Sequence, residues 1–205
     1  MILEKLVVGP LQVNCYLVGC PESHQAAVID PGADVALILA ALKRNGLSLK
    51  TIINTHGHFD HIGGNRELQQ ATGADLLIHE ADQPLLQQAS QHASLYGLRA
   101  ENSPEPAGFL KDDSVVRVGE LEFKVLHTPG HSPGGACLLC DDHLFSGDTL
   151  FAGSVGRTDL PGADHRTLID SIHRRLSILP ENTQVHPGHG PDSLIGDEKR
   201  NNPFL

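Results

Sequence analysis

Short strand-like runs alternate along this chain with two clear helical stretches. Ile2–Val8, Val13–Gly19 and Ala26–Asp30 read as strands, joined by turns that contain Gly9-Pro10 and Pro21. Val35, Ile38, Leu39 and Leu42 then repeat at helical spacing, with Asp34 placed to cap the helix, Asn45 near its end and Gly46 to stop it. Leu49–Asn54 is the next strand, and it runs straight into Thr55-His56-Gly57-His58-Phe59-Asp60-His61. A short helix over Asn65–Thr72, a strand over Asp75–His79 and a helix over Glu80–Gln91 follow. From His92 to Lys111 the chain is rich in Ala, Ser, Pro and Gly and reads as a flexible excursion. Two hairpins come next, Ser114–Val118 with Leu121–His127 and Gly135–Cys140 with His143–Ser146. Leu121, Phe123 and Val125 alternate as a strand with one buried face should. A helix over Asp164–Leu179 buries Leu168, Ile172, Leu176 and Leu179, and Thr183–His186 is the last strand. No repeat or low-complexity linker divides the pattern, so one domain over residues 1–205 is expected.

Composition narrows the function. A net charge of −10 argues against general nucleic-acid or membrane-surface binding, which needs a basic face. It leaves room for an anionic small substrate, because bound metal ions make a site locally positive. The start, MILEKLVVGP, carries charge within its apolar run and reads as a strand rather than a signal peptide, so the cytoplasm is the expected compartment. Cys137 and Cys140 form a C-x-x-C spacing on a strand, where residues three apart face opposite ways; buried thiols are expected there and at Cys15 and Cys20.

Thirteen histidines are the feature that packing does not explain. The loop after Asn54 offers four potential ligands, His56, His58, Asp60 and His61. Imidazole and carboxylate suit borderline divalent metals, and Gly57 gives the loop a tight backbone. Further ligands of the right kind arrive later, each after a strand: His131 behind a Pro-Gly turn, Asp148 in SGDT and His189 in PGHG. Ends of several strands can converge on one point. The other histidines are expected elsewhere: His79, His127, His143, His173 and His186 packed or on the surface, His24, His92 and His165 in solvent.

The ordered set H-x-H-x-D-H, then H, then D, then H, resembles the metallo-β-lactamase superfamily, over nearly the whole chain from VIDPGA to the terminal NPF. The resemblance implies an α/β fold, a four-layered αβ/βα sandwich with its site at the joined edges of two sheets. It implies two divalent ions, zinc first with iron or manganese as alternatives. His56, His58 and His131 would hold one, Asp60, His61 and His189 the other, with Asp148 shared. Asp30 in VIDPG is either an orienting group behind these ligands or a turn aspartate.

Two metals roughly 3.5–4 Å apart can activate a water and polarise a carbonyl or phosphoryl oxygen. Asp60 or a metal-bound water is the candidate to return a proton to the leaving group. THGHFDHIGGN, FSGDTLF and GDEKRNNPFL are similar to the glyoxalase II-like branch, which hydrolyses thioesters such as S-lactoylglutathione with hydroxide on the metals. The chain departs from that branch's full-length pattern by stopping at Leu205, and by having Arg157 where Lys, and Asp159 where Tyr, is frequent. Arg157 is a candidate anchor for a substrate carboxylate; the competing reading pairs it with Asp159 or Asp164. The runner-up activity is a mononuclear iron persulfide dioxygenase, which shares the GRTD segment but has Ala where Phe59 stands. Hydrolysis of another ester, lactone, β-lactam or phosphoester comes next, and a non-catalytic metal-binding protein last. The partner expected is a small molecule, possible glutathione thioesters included; oligomeric state is not readable.

Overall fold

In the computed structural model, which describes residues 1–205, Ile2–Val8 (β1) pairs with Val13–Gly19 (β2), and β2 is buried at every position. A strand buried throughout has a layer on each face. Its side chains sort by parity: Cys15 and Leu17 enter one apolar core, Tyr16 and Val18 another. Gln25–Ile29 (β3) repeats the division, with Ala26 and Val28 on one side and Ala27 and Ile29 on the other. Ser48–Ile53 (β4), Asp75–His79 (β5) and Gly108–Leu110 (β6) complete a six-stranded sheet in the order β1 to β6. It is antiparallel through β3 and parallel beyond.

The second sheet also has six strands. Val115–Val118 (β7), Leu121–His127 (β8), Ala136–Cys140 (β9) and His143–Gly147 (β10) form its antiparallel part. A two-stranded hairpin, Leu150–Phe151 (β11) with Ser154–Val155 (β12), intervenes before Gln184–Pro187 (β13), which lies parallel to β10, and Ser193–Leu194 (β14). Between the sheets Phe123 and Phe145 are fully buried, and Tyr16 sets its ring edge-on to Phe145 at 5.2 Å. Each such aromatic is worth roughly 1.5–3 kcal/mol of burial, so this layer locks the two sheets together.

Helices cover both outer faces. Val35–Arg44 (α1), the single turn Phe59–Ile62 (α2) and Asn65–Thr72 (α3) put Val35, Ile38, Leu42, Ile62 and Leu68 against the first sheet. Gln83–Leu86 (α4) and Ala89–Leu95 (α5) add Leu86 and Ala89. His165–Ser171 (α6), continued by a wider turn over Ile172–Leu176, and Ile195–Asn201 (α7) cover the second sheet with Leu168, Ile172, Leu176 and Ile195. The result is the four-layered α/β sandwich. Cys137 faces the outer core and Cys140 the inner one, as strand alternation requires, and all four cysteines are buried and free.

Four local expectations fail. The helix over Glu80–Gln91 is broken: a tight turn at Glu80–Asp82 precedes α4, where Pro84 sits in the first turn, and the chain resets before α5. The excursion from His92 to Lys111 is pinned, since it contains the end of α5 and β6, and Ser103 and Ala107 donate their amides to Leu86 and Leu76 carbonyls. Asp34 does not cap α1 through its side chain; it adopts φ 52° and accepts from the Gly9 amide at 2.8 Å instead. The helix over Asp164–Leu179 ends near Leu176, and α7 and the β11–β12 hairpin are additions the pattern did not show.

Candidate metal centre

The ends of β4, β8, β10 and β13 meet where the two sheets join, and the ligand-type residues lie just beyond them. His56 to His61 follow β4, His131 follows β8, Asp148 follows β10 and His189 follows β13. Several contacts hold this seam. The Ala136 amide donates to the Thr55 carbonyl, and the Asn14 amide to Gly188. Asn14 Nδ2 donates to the Pro187 and Gly190 carbonyls, and the Tyr16 hydroxyl to Pro187. The loop that bears His189 therefore hangs from β2 of the other sheet. Gly188 allows it to approach, because a Cβ there would lie 2.3 Å from an Asp148 carboxylate oxygen.

Three imidazoles are oriented from behind. The buried Asp30 carboxylate accepts from the Thr55 amide (2.8 Å), the Thr55 hydroxyl (2.6 Å) and His61 Nδ1 (3.0 Å). Thr55 Oγ1 directs its proton at Asp30, so it accepts from His56 Nδ1 at 3.1 Å. His131 Nδ1 donates to the Arg157 carbonyl at 2.8 Å. With Nδ1 engaged, His56 and His131 leave Nε2 bare, the tautomer a metal ligand needs, while His61 Nε2 faces His189 Nε2 at 3.3 Å. Asp30 is thus an orienting group.

The bare atoms face one another. Potential ligand atoms of His56, His58 and His131 lie within 4.8 Å of each other, and so do those of Asp60, His61 and His189. Asp148 stands between the groups: one oxygen is 3.4 Å from His61 Nε2, the other 3.6 Å from His131 Nε2 and 3.7 Å from His189 Nε2. His56 Nε2, His131 Nε2 and one Asp148 oxygen are buried without any hydrogen-bond partner. Unpaired buried polar atoms are costly, and convergent ones are what a cation would satisfy. The donor set is nitrogen and carboxylate oxygen, which fits a borderline divalent ion. Asp30 with His56 and His61 is a third close group, but Asp30 is already occupied by its three donors.

Electrostatics distinguishes the two groups. Burial, aided by neighbouring imidazoles, holds His56 well below the ordinary histidine range and takes His58 down to about 3. Burial acts the same way on His61, yet Asp148, Asp60 and Asp30 outweigh it and raise that ring well above its usual value. Burial likewise opposes charge on Asp148, but His61 beside it holds the carboxylate well below its normal range. The Asp60 and His61 side draws positive charge to itself.

Arg157 behaves as its competing reading required. Its guanidinium makes two parallel 2.7 Å hydrogen bonds to Asp159, while its carbonyl steadies His131. Beside Asp60 a cavity of about 810 Å³ opens between the Gly9-Pro10-Leu11 turn, Phe59 and Arg99. Arg99 is exposed and has no ion pair. The C-terminal helix contributes too: Asn202 Nδ2 donates to the Ser154 carbonyl (3.0 Å), and Glu198 accepts from the Gly153 amide (2.9 Å). These bonds fix the β11–β12 hairpin between Asp148 and Arg157. The other histidines lie off the centre, His79 stacked on His127 at 4.0 Å and His143 bonded to His186 at 2.9 Å.

Known proteins resemble this chain over nearly its whole length. The family model described as the metallo-beta-lactamase superfamily matches residues 8–189. A probable metallo-hydrolase of Bacillus subtilis is 37% identical, covering 98% of this chain and 96% of that one. A hydroxyacylglutathione hydrolase of Haemophilus influenzae is 35% identical, covering 100% and 98%. Among solved structures, the BLEG-1 B3 metallo-beta-lactamase superposes with TM-score 0.93 at 36% identity, covering 100% of this chain and 99% of that one. A protein solved in a di-iron-bound form gives 0.91 at 43%, covering 98% and 100%. ETHE1 from Myxococcus xanthus gives 0.82 at 32%, covering 99% and 84%.

Proposed function

Because the chain belongs to the metallo-beta-lactamase superfamily, whose hydrolases depend on metal, we propose that it is a thioester hydrolase working with two divalent ions. His56, His58 and His131 would hold one ion, Asp60, His61 and His189 the other, and Asp148 would serve both. The observation that carries the two-ion reading is the placement of Asp148, with one oxygen toward His61 and the other toward His131 and His189. Divalent ions supply a Lewis acid and a water that is acidic enough to react near neutral pH.

The chain's own groups supply the rest. Asp30 and the Arg157 carbonyl keep the imidazole nitrogens aimed inward. The cavity beside Asp60 receives the substrate, with Phe59 and Leu11 against its apolar part and Arg99 available to a carboxylate. A thiolate leaves with little help from an acid, so one carboxylate on the cavity wall is enough to manage its proton. Asp60 fills that place. Similarity to the Haemophilus influenzae hydroxyacylglutathione hydrolase supports the thioester, and this chain spans 98% of that enzyme's length.

The oxidative reading keeps one observation in its favour. The pair between Arg157 and Asp159 gives the Gly156-Arg157-Thr158-Asp159 segment a fixed shape, and ETHE1 of Myxococcus xanthus is 32% identical. A panel separates the readings. S-lactoylglutathione, a neutral acyl thioester, a β-lactam and a glutathione persulfide with oxygen monitoring should be offered to the same metal-loaded preparation. Thioester turnover well above the others is expected. Oxygen consumption on the persulfide, or β-lactam turnover that exceeds thioester turnover, would replace the proposal.

A further inference from the structure

Asp82 belongs to the broken helix after β5, outside every cluster of ligand-type residues, and its side chain is fully buried. Its carboxylate accepts three hydrogen bonds. The Gly57 amide donates at 2.9 Å, the Ser132 hydroxyl at 2.7 Å and the Gly134 amide at 2.6 Å. Gly57 lies between His56 and His58, and Ser132 follows His131. One carboxylate thus ties together the two loops that carry all three members of the histidine group, though one loop leaves the first sheet and the other leaves the second.

The close approach is built into both loops. A Cβ on Gly57 would lie 2.7 Å from the Leu85 side chain and 3.0 Å from the Asp82 carbonyl; on Gly134 it would lie 2.7 Å from the Asp82 carboxyl carbon. No side chain larger than hydrogen fits between the loops and the Asp82 turn. A carboxylate suits the place because it only accepts and has room for about four donors, three of which are present. Asparagine would turn an N–H₂ toward at least one of these donors. Hydrogen bonds from backbone amides to a buried carboxylate are charge-assisted and short, so the loops are held firmly.

We infer that Asp82 is the positioning residue of the three-histidine group: it fixes the spacing of His56 and His58 against His131 and so sets the affinity of that metal position alone. The inference rests on the metal reading of the site. Asp30 acts on the other group by holding His61 directly, and Asp82 touches none of Asp60, His61 or His189. Groups behind metal ligands are generally worth about 10–100-fold in metal affinity.

The test measures metal binding rather than turnover. Wild-type protein, Asp82→Asn and Ser132→Ala are stripped, then titrated with zinc against a chromogenic chelator, with the melting temperature of each metal-free form recorded. In Asp82→Asn one of the two equivalents should weaken by about 10–100-fold while the other keeps its wild-type affinity. Ser132→Ala removes one bond of three, leaves the fold intact and should weaken the same equivalent by a smaller factor. Zinc affinities equal to wild type in both variants, with only the metal-free melting temperature lowered, would overturn the inference and leave Asp82 a packing residue. Equal weakening of both equivalents would overturn its selectivity. A wild-type chain that takes up no zinc would instead overturn the reading of the site, and the inference with it.

Discussion

The two ligand groups adjoin across Asp148 yet are built differently. In the group of His56, His58 and His131, burial holds His56 well below the ordinary histidine range and takes His58 down to about 3. Asp60, His61 and His189 combine a carboxylate with imidazoles, and both imidazoles are pushed toward the charged form against the pull of burial. The bracing differs as well: Asp82 ties the backbone of the first group's loops, while Asp30 grips a ring of the second. The lesson is that the two positions need not be equal. One is set by geometry alone, and the other by geometry and charge, so single substitutions should separate them.

The largest effect should come from the group the two positions share. Asp148→Ala removes the carboxylate that faces both, and should lose at least one metal equivalent and more than about 100-fold in thioester turnover, the scale of removing a preorganised electrostatic group. His79→Ala, whose ring stacks on His127 away from the centre, should keep both metals. Elemental analysis with a thioester assay checks this, and an active Asp148→Ala enzyme with two metals would dissolve the shared position.

Asp30→Ala comes second. It frees His61 Nδ1 and the Thr55 hydroxyl, and should weaken the Asp60, His61 and His189 position by about 10–100-fold. The three-histidine position should suffer less, since only His56 is reached, through Thr55. The chelator titration reads both affinities. A larger loss at the three-histidine position would reverse the contrast drawn between the groups.

How much of this the sequence carried depends on the kind of signal. Ligand-type residues were legible because His and Asp directly after strands are chemically conspicuous, and the fold brings six of them into two adjoining groups with Asp148 between. The strands were legible as short runs between turns, and Cys137 and Cys140 as opposite faces of one. Asp82 was not, because in HEADQP it looks like an ordinary polar residue of an amphipathic helix; its partners Gly57 and Ser132 are remote in sequence. The expected helix failed at Pro84 for a reason the sequence did contain. The β6 strand and the β11–β12 hairpin were too short to show a period; β6 exists through pairing with β5, and the hairpin is held by Glu198 and Asn202.

The smallest effect concerns substrate charge. Arg157 is occupied by Asp159, whereas Arg99 lines the cavity without an ion pair. Exposed charge pairs are worth up to about 1 kcal/mol. Arg99→Ala should therefore raise KM for an anionic thioester about 2–5-fold with little change for a neutral one. Arg157→Ala, by loosening the carbonyl that holds His131, should lower kcat on both. The reverse assignment, with Arg157→Ala selective for the anionic substrate, would return the anchor to Arg157.

Metal content tests the central claim most directly. Protein purified without chelator should contain close to two divalent ions per chain by elemental analysis, and removal of both should abolish thioester hydrolysis until metal is restored. One equivalent, found as iron in a preparation that oxidises a persulfide with oxygen and leaves thioesters intact, would contradict it.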